Sequence, residues 1–240
     1  MTIQILEIQR QAQQGMSGPH VCKGEDGHIY YVKGLNSTRR SQIAEWICAH
    51  IGTAFGLPIP PFKVVEISEL LWEELPHDKK VIGYGPAFGS RGAPLPRWFG
   101  TNDISKVGQQ TRVDILVFDW WIKNADRSDQ NPNLLWSESS DELVVIDHNS
   151  AFDEEFSAPD FVATHVFRDE WPLLRGDLVT MEHYREKCAA ALDVLDQACN
   201  NLPPEWAWDN LEQDIACSFS IDACRNTLER AIGNEFWRME

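Results

Sequence analysis

Two short runs of strand-forming residues, "NLLW" at 133–136 and "LVVID" at 143–147, flank the polar stretch "SESSDE". They follow the long apolar run "DILVFDWWIK" and its polar sequel "NADRSDQNPN". Folded as an antiparallel hairpin with a symmetric turn, the two runs pair Leu134 with Val145 and Leu135 with Val144. That register constrains the chain more than any other feature. It brings Asn131 beside Asp147 at the open mouth of the hairpin, with Asp126 a few residues upstream on the loop that leaves the helix. The loop holds three asparagines, two aspartates and an arginine, more polar side chains than turn geometry asks for.

One amide oxygen and two carboxylates therefore converge. Hard oxygen donors of this kind suit Mg²⁺, which takes one or two carboxylates and fills its other positions with phosphate oxygens and water. ATP is the natural companion. Phosphoryl transfer needs a residue to orient the acceptor hydroxyl, an Asn and an Asp for the metal, and a lysine on a strand elsewhere to meet the phosphates. Lys33, Asp126, Asn131 and Asp147 supply these in chain order.

The rest of the chain reads as strands first and helices later. "HVCKGEDGHIYYVK" at 20–33 places a Gly-Glu-Asp-Gly turn between two β-forming runs, with Lys33 closing the second. Before it, "GMSGPH" can free backbone N–H groups for a phosphate, which makes Ser17 and Gly18 candidate nucleotide contacts. From Ser37 to Phe55 the spacing of Ile43, Trp46, Ile47, His50, Ile51 and Ala54 predicts a helix. "FKVVEI" and "KKVIGYG" predict two more strands, and the Gly/Pro-rich "PAFGSRGAPLPRWFG" a connection between lobes. Two domains are expected, residues 1–90 rich in strands and residues 91–240 mainly helical.

Composition excludes several partners. With 37 acidic against 21 basic residues the net charge is −16, which repels nucleic acid and anionic membranes alike. No apolar run is long enough to span a bilayer and the N-terminus lacks a basic region ahead of an apolar core, so a cytoplasmic location is expected. The six cysteines lack C-x-x-C or zinc-ligand spacing and read as reduced thiols. His148 and His165 read as ordinary polar residues, and Arg127 as a structural cation paired with a nearby carboxylate.

The order Lys33 in "YYVKG", Glu45 in "AEWICAHIGTAFGLPIP", then "NADRSDQN" and "VVIDHNSAF" resembles the HipA-like kinases, and more remotely the phosphoinositide kinases with their Asp-Arg-His-x-x-Asn loop. The resemblance covers most of the chain up to about residue 170. It implies an α+β, bilobal protein-kinase-like fold that transfers the γ-phosphate of ATP to a protein Ser or Thr with Mg²⁺. By that match Asp126 is the catalytic aspartate, Asn131 and Asp147 are the metal ligands, and Lys33 binds phosphate with Glu45 as its ion-pair partner. The match also makes Ser17 and Gly18 part of the phosphate loop and turns the backbone of Ala87 and Phe88 toward adenine. It further implies a growth-control or toxin role, a translation component as substrate and an antitoxin-like protein as partner. Ser128 stands where related loops carry histidine. Two alternatives stay open: a nucleotide-binding pseudokinase, which rests on Ser128, and a kinase acting on a small molecule or lipid head group.

Overall fold

Strands fill the first part of the chain and helices most of the remainder, so the fold is α+β. The computed structural model describes residues 2–12 and 18–237. Internal contacts divide the chain into two compact units, one of residues 1–46, 60–94 and 201–219, the other of 47–59, 95–200 and 220–240.

In the first unit β1 (Ile3–Gln11), β2 (His20–Gly24), β3 (Ile29–Lys33), β4 (Phe62–Ile67) and β5 (Gly85–Arg91) close into a barrel in the order β1–β2–β3–β5–β4. The Gly-Glu-Asp-Gly turn joins β2 to β3 as its sequence predicts, with Gly27 at φ +81°. Strict alternation does not mark β1. Its pairing with β2 shifts register between Ile5 and Glu7 and again between Ile8 and Arg10, so Ile5 and Ile8 turn inward while Leu6 stays exposed.

β5 corrects the sequence reading. Lys79–Ile82 of "KKVIGYG" lie in a 3₁₀ turn, His77–Ile82, and the strand begins only at Gly85 and runs on through Arg91, into the segment expected to connect lobes. The glycine that made this segment look like a loop has a packing reason: a Cβ on Gly89 would stand 2.5 Å from Cγ1 of Val65 on β4. The 3₁₀ turn still contributes to the core, since Ile82 is buried there beside Val65, Ile67 and Ala87.

The predicted helix forms as α1 (Arg39–Ala54), and a single short turn of helix, α2 (Glu69–Glu73), is capped by the Ser68 hydroxyl accepting from the Leu71 N–H. Residues 201–219 belong to the first unit through Trp206. Its indole N–H donates to the Pro86 carbonyl at 2.9 Å, and its ring stands edge-on to Trp46.

The second unit holds β6 (Pro96–Trp98), β7 (Leu134–Ser137) and β8 (Glu142–Val145), in the order β6–β7–β8. β7 and β8 pair in the register the sequence predicts, Leu134 with Val145 and Leu135 with Val144. The helices are α3 (Gln109–Trp121), α4 (Ala158–Thr164), α5 (Leu178–Leu192), α6 (Leu195–Asn200) and α7 (Ile221–Glu229). Side-chain oxygens of Ser157, Asp177 and Ser220 cap the N-termini of α4, α5 and α7.

The C-terminal half of α3 is buried on nearly all sides, and Ile115, Leu116, Val117, Phe118 and Trp121 have no exposed surface. Phe55 packs on both Phe118 and Trp121, and the Trp121 indole N–H donates to the Leu228 carbonyl at 2.7 Å. Truncating one such aromatic costs about 3–5 kcal/mol in typical cores. α3 is therefore a fixed post for the loop that leaves its C-terminus. Among the described residues no helix is long and apolar enough to cross a membrane.

Candidate active site

The loop after α3 turns back on the helix that launches it. Lys123 takes a left-handed conformation at φ +54°, and the Asn124 N–H donates to the Asp119 carbonyl at 2.9 Å. Asp119, an acid within the apolar run of α3, is fully buried and accepts from Asn124 Nδ2 at 2.7 Å, Arg127 Nε at 2.6 Å and His165 Nε2 at 3.1 Å. Burial raises its pKa, but Arg127 and His165 outweigh burial and hold the carboxyl below its ordinary range. Burial keeps His165 below its ordinary pKa against the pull of Asp119. The ring is neutral, with Nε2–H donated to Asp119 and Nδ1 accepting the Phe167 N–H at 3.1 Å.

Arg127 thus has the structural role its sequence context suggests, with Asp119 as its carboxylate. His165 departs from expectation. It is a fixed member of the support under the loop, which is also joined to the segment after α4 by Val166 N–H to the Arg127 carbonyl at 3.1 Å and by an ion pair of Arg168 with Asp129.

Asp126 stands half-buried above this support. Asn131 Nδ2 donates to both of its carboxylate oxygens at 3.1 Å, and Asn133 Nδ2 adds a bond to Oδ2 at 3.0 Å. Ser128 builds the turn between Asp126 and Asn131. Its N–H donates to the Asn131 carbonyl at 3.1 Å, its carbonyl accepts the Asn131 N–H at 3.1 Å, and its hydroxyl accepts the same N–H at 3.3 Å. Asp147 stands two residues after the end of β8, half-buried and left-handed at φ +60°, a conformation aspartate tolerates better than most residues. The structure brings Asp126, Asn131 and the unpredicted Asn133 into direct contact, and Asp147 follows Ile146, whose N–H donates to the Asn133 carbonyl.

The N-terminal candidates divide. Lys33 ends β3 and forms a buried ion pair with Glu45 of α1, as expected. Gly18, at φ +50°, has its carbonyl fixed by Gln11 Nε2 at 3.1 Å and Asn36 Nδ2 at 3.2 Å. Ser17 lies outside the described residues. Ala87 and Phe88 are buried on β5: Phe88 faces Lys33 on β3 and Val64 on β4, and Ala87 faces Val65 on β4.

Asn131 and Asp147 carry the kind of hard oxygen donors that Mg²⁺ takes. With its amide nitrogen on Asp126, Asn131 turns its amide oxygen away from that carboxylate, and Asp147 offers a second hard oxygen donor. Among the described residues no three His, Cys, Asp or Glu side chains gather into a metal cluster. A site of one amide and one carboxylate oxygen, completed by phosphate and water, is the style of Mg²⁺ rather than of an all-protein cage.

A family model described as HipA-like kinase matches residues 5–240. The chain belongs to the HipA-like kinase family. No curated protein matches it. Membership of the HipA-like kinases means a kinase-type phosphotransferase. The residues that sequence reasoning missed in this HipA-like kinase are Asp119, Asn133 and His165. Only Asp119 had a local signal, a charge inside a run too apolar to face water.

Proposed function

We propose that the protein is an ATP- and Mg²⁺-dependent kinase that phosphorylates a serine or threonine of a protein substrate, works in the cytoplasm, and uses its β-rich and helical units as the lobes of a protein-kinase-like fold. The observation that carries this reading is the tethered carboxylate of Asp126, held through N–H donors of Asn131 and Asn133. A carboxylate fixed in this way has its remaining lone pairs aimed in a set direction, which is what a group that orients an acceptor hydroxyl requires.

In the transfer, a bond forms from the acceptor oxygen to the γ-phosphorus while the bond to the ADP oxygen breaks, and Asp126 orients the hydroxyl and receives its proton. Asn131 and Asp147 are the residues that would hold the metal. Bound Mg²⁺ supplies neutralisation of phosphate charge. Lys33, kept in place by Glu45, is the cation for the phosphates. The acidic character of the chain, net −16, favours a basic protein surface as the acceptor over nucleic acid or anionic lipid. The family resemblance points to a translation component as that acceptor, and to an antitoxin-like protein as partner in growth control.

Two measurements test this reading. Incubation with ATP, Mg²⁺ and cell extract, followed by phosphosite mass spectrometry, should give Ser/Thr sites that vanish with Asp126→Ala. In thermal melts, Mg²⁺ with ATP at about 100 times its dissociation constant should add roughly 2.7 kcal/mol to wild type and to Asp126→Ala, and nothing to Asp147→Ala. Equal shifts in all three would remove the metal centre from the reading. A wild-type shift without any phosphosite above the control would make the protein a nucleotide-binding module instead.

A further inference from the structure

The mouth of the β7–β8 hairpin is held by a residue with no exposed surface. Arg127 Nη1 donates to the carbonyls of Asn133 at 2.6 Å, Ile146 at 3.1 Å and Pro132 at 3.2 Å. Asn133 lies two residues after Asn131 and directly before β7; Ile146 lies directly after β8 and precedes Asp147. The same two residues are joined by the Ile146 N–H donating to the Asn133 carbonyl at 3.1 Å. The opposite side of the guanidinium is fastened to Asp119 on α3 through Nε at 2.6 Å and Nη2 at 3.4 Å. One rigid, planar cation thus ties both strand-ends of the hairpin to the buried post of α3, and its own backbone follows directly on Asp126.

The identity of those carbonyls matters. A buried ion pair is weak evidence for a gain in stability, because packed apolar residues often serve as well. Arginine's fork, however, can reach a carboxylate on one side and several carbonyls on the other, which a lysine ammonium cannot do in a fixed plane. With all its nitrogens engaged and its surface covered, Arg127 is not placed to contact phosphate. We propose that Arg127 is a positioning residue that sets the spacing of Asn131 and Asp147, and through it the Mg²⁺ requirement of phosphoryl transfer. The inference rests on the kinase reading above.

The test compares wild type with Arg127→Lys and Asp119→Asn. The concentration of Mg²⁺ giving half-maximal transfer at saturating ATP is measured beside a circular-dichroism melt of each protein. Loss of groups that orient metal ligands typically weakens metal use by about 10- to 100-fold. Arg127→Lys should melt cooperatively and need more Mg²⁺ by a factor in that range. Asp119→Asn, which keeps Arg127 and its carbonyl contacts but loses the anion behind them and one of its two acceptor oxygens, should move the same way by less. A role confined to stability would lower the melting temperature and leave the Mg²⁺ requirement where it was. A folded Arg127→Lys whose requirement stays within about twofold of wild type overturns the inference, as does failure of both variants to fold, which would make the pair a folding element only. A wild type without Mg²⁺-dependent transfer overturns the kinase reading itself, and is told apart by needing no variant.

Discussion

Asn133 gives the sharpest test of how Asp126 is held. The residue is buried, adopts φ +48°, and donates Nδ2 to Asp126 Oδ2 at 3.0 Å. Asn133→Gly removes the donor and leaves the backbone free to keep its left-handed conformation. A hydrogen bond to a charged group is worth about 1.5–3 kcal/mol, so if the bond matters mainly by orienting the carboxylate in transfer, the rate should fall roughly 10- to 100-fold. Asn133→Ala should lose the same rate and in addition melt lower than the glycine variant, because a left-handed alanine costs about 1–2 kcal/mol. The assay is phosphate incorporation at the mapped Ser/Thr site under saturating ATP and Mg²⁺, beside a urea melt. Transfer by Asn133→Gly within a factor of about two of wild type would refute the orienting role. Equal melts of the two variants would refute the backbone part.

Three further outcomes are expected. Ser128→His should fold, since the turn keeps its backbone bonds between residues 128 and 131, and should add a limb near pH ~6.5 to the transfer profile; an unchanged profile would make the position structural only. Gly34→Ala should cost about 1–3 kcal/mol in a urea melt, because the new Cβ would stand 2.2 Å from the Ile82 carbonyl oxygen, and a loss below about 0.5 kcal/mol would show that the 3₁₀ turn yields. Stability should fall on acidification from pH ~7 to ~5: His165 is held neutral by burial, so the unfolded chain binds its proton first, with a slope of up to about 1.4 kcal/mol per pH unit. His20 and His50 are lowered by burial in the same direction, so His165→Gln should flatten that slope without abolishing it, and an unchanged slope would mean that His165 is not the titrating group.

What the sequence disclosed follows from the range of the forces involved. The β7–β8 register was legible because a period of two and a short symmetric turn leave few pairings, and α1 because its apolar spacing runs over several turns. Lys33 with Glu45 was reached through the family resemblance, and Asn131 near Asp126 through the hairpin register and the polar loop before it. β5 was misplaced because Gly89 answers to Val65 on another strand, and a local reading cannot tell that from a turn glycine. β1 was hidden by its register shifts. The support of the loop stayed invisible for the same reason: His165 lies 46 positions from Asp119 in the chain, and nothing near either residue announces the other. Asn133 was passed over because an asparagine after a proline reads as ordinary turn chemistry.

The parallel pairing of β1 with β4, Ile3 with Val65 and Gln4 with Glu66, completes the ring of strands in the first unit. Where β1 and β4 pair, the ring has no terminal strand and offers no waiting N–H and C=O groups to a peptide seeking a ladder. Strand addition is closed along that seam, and a protein that recognises the unit there does so through side chains and loops, where a single substitution can change the choice of partner without disturbing the barrel beneath.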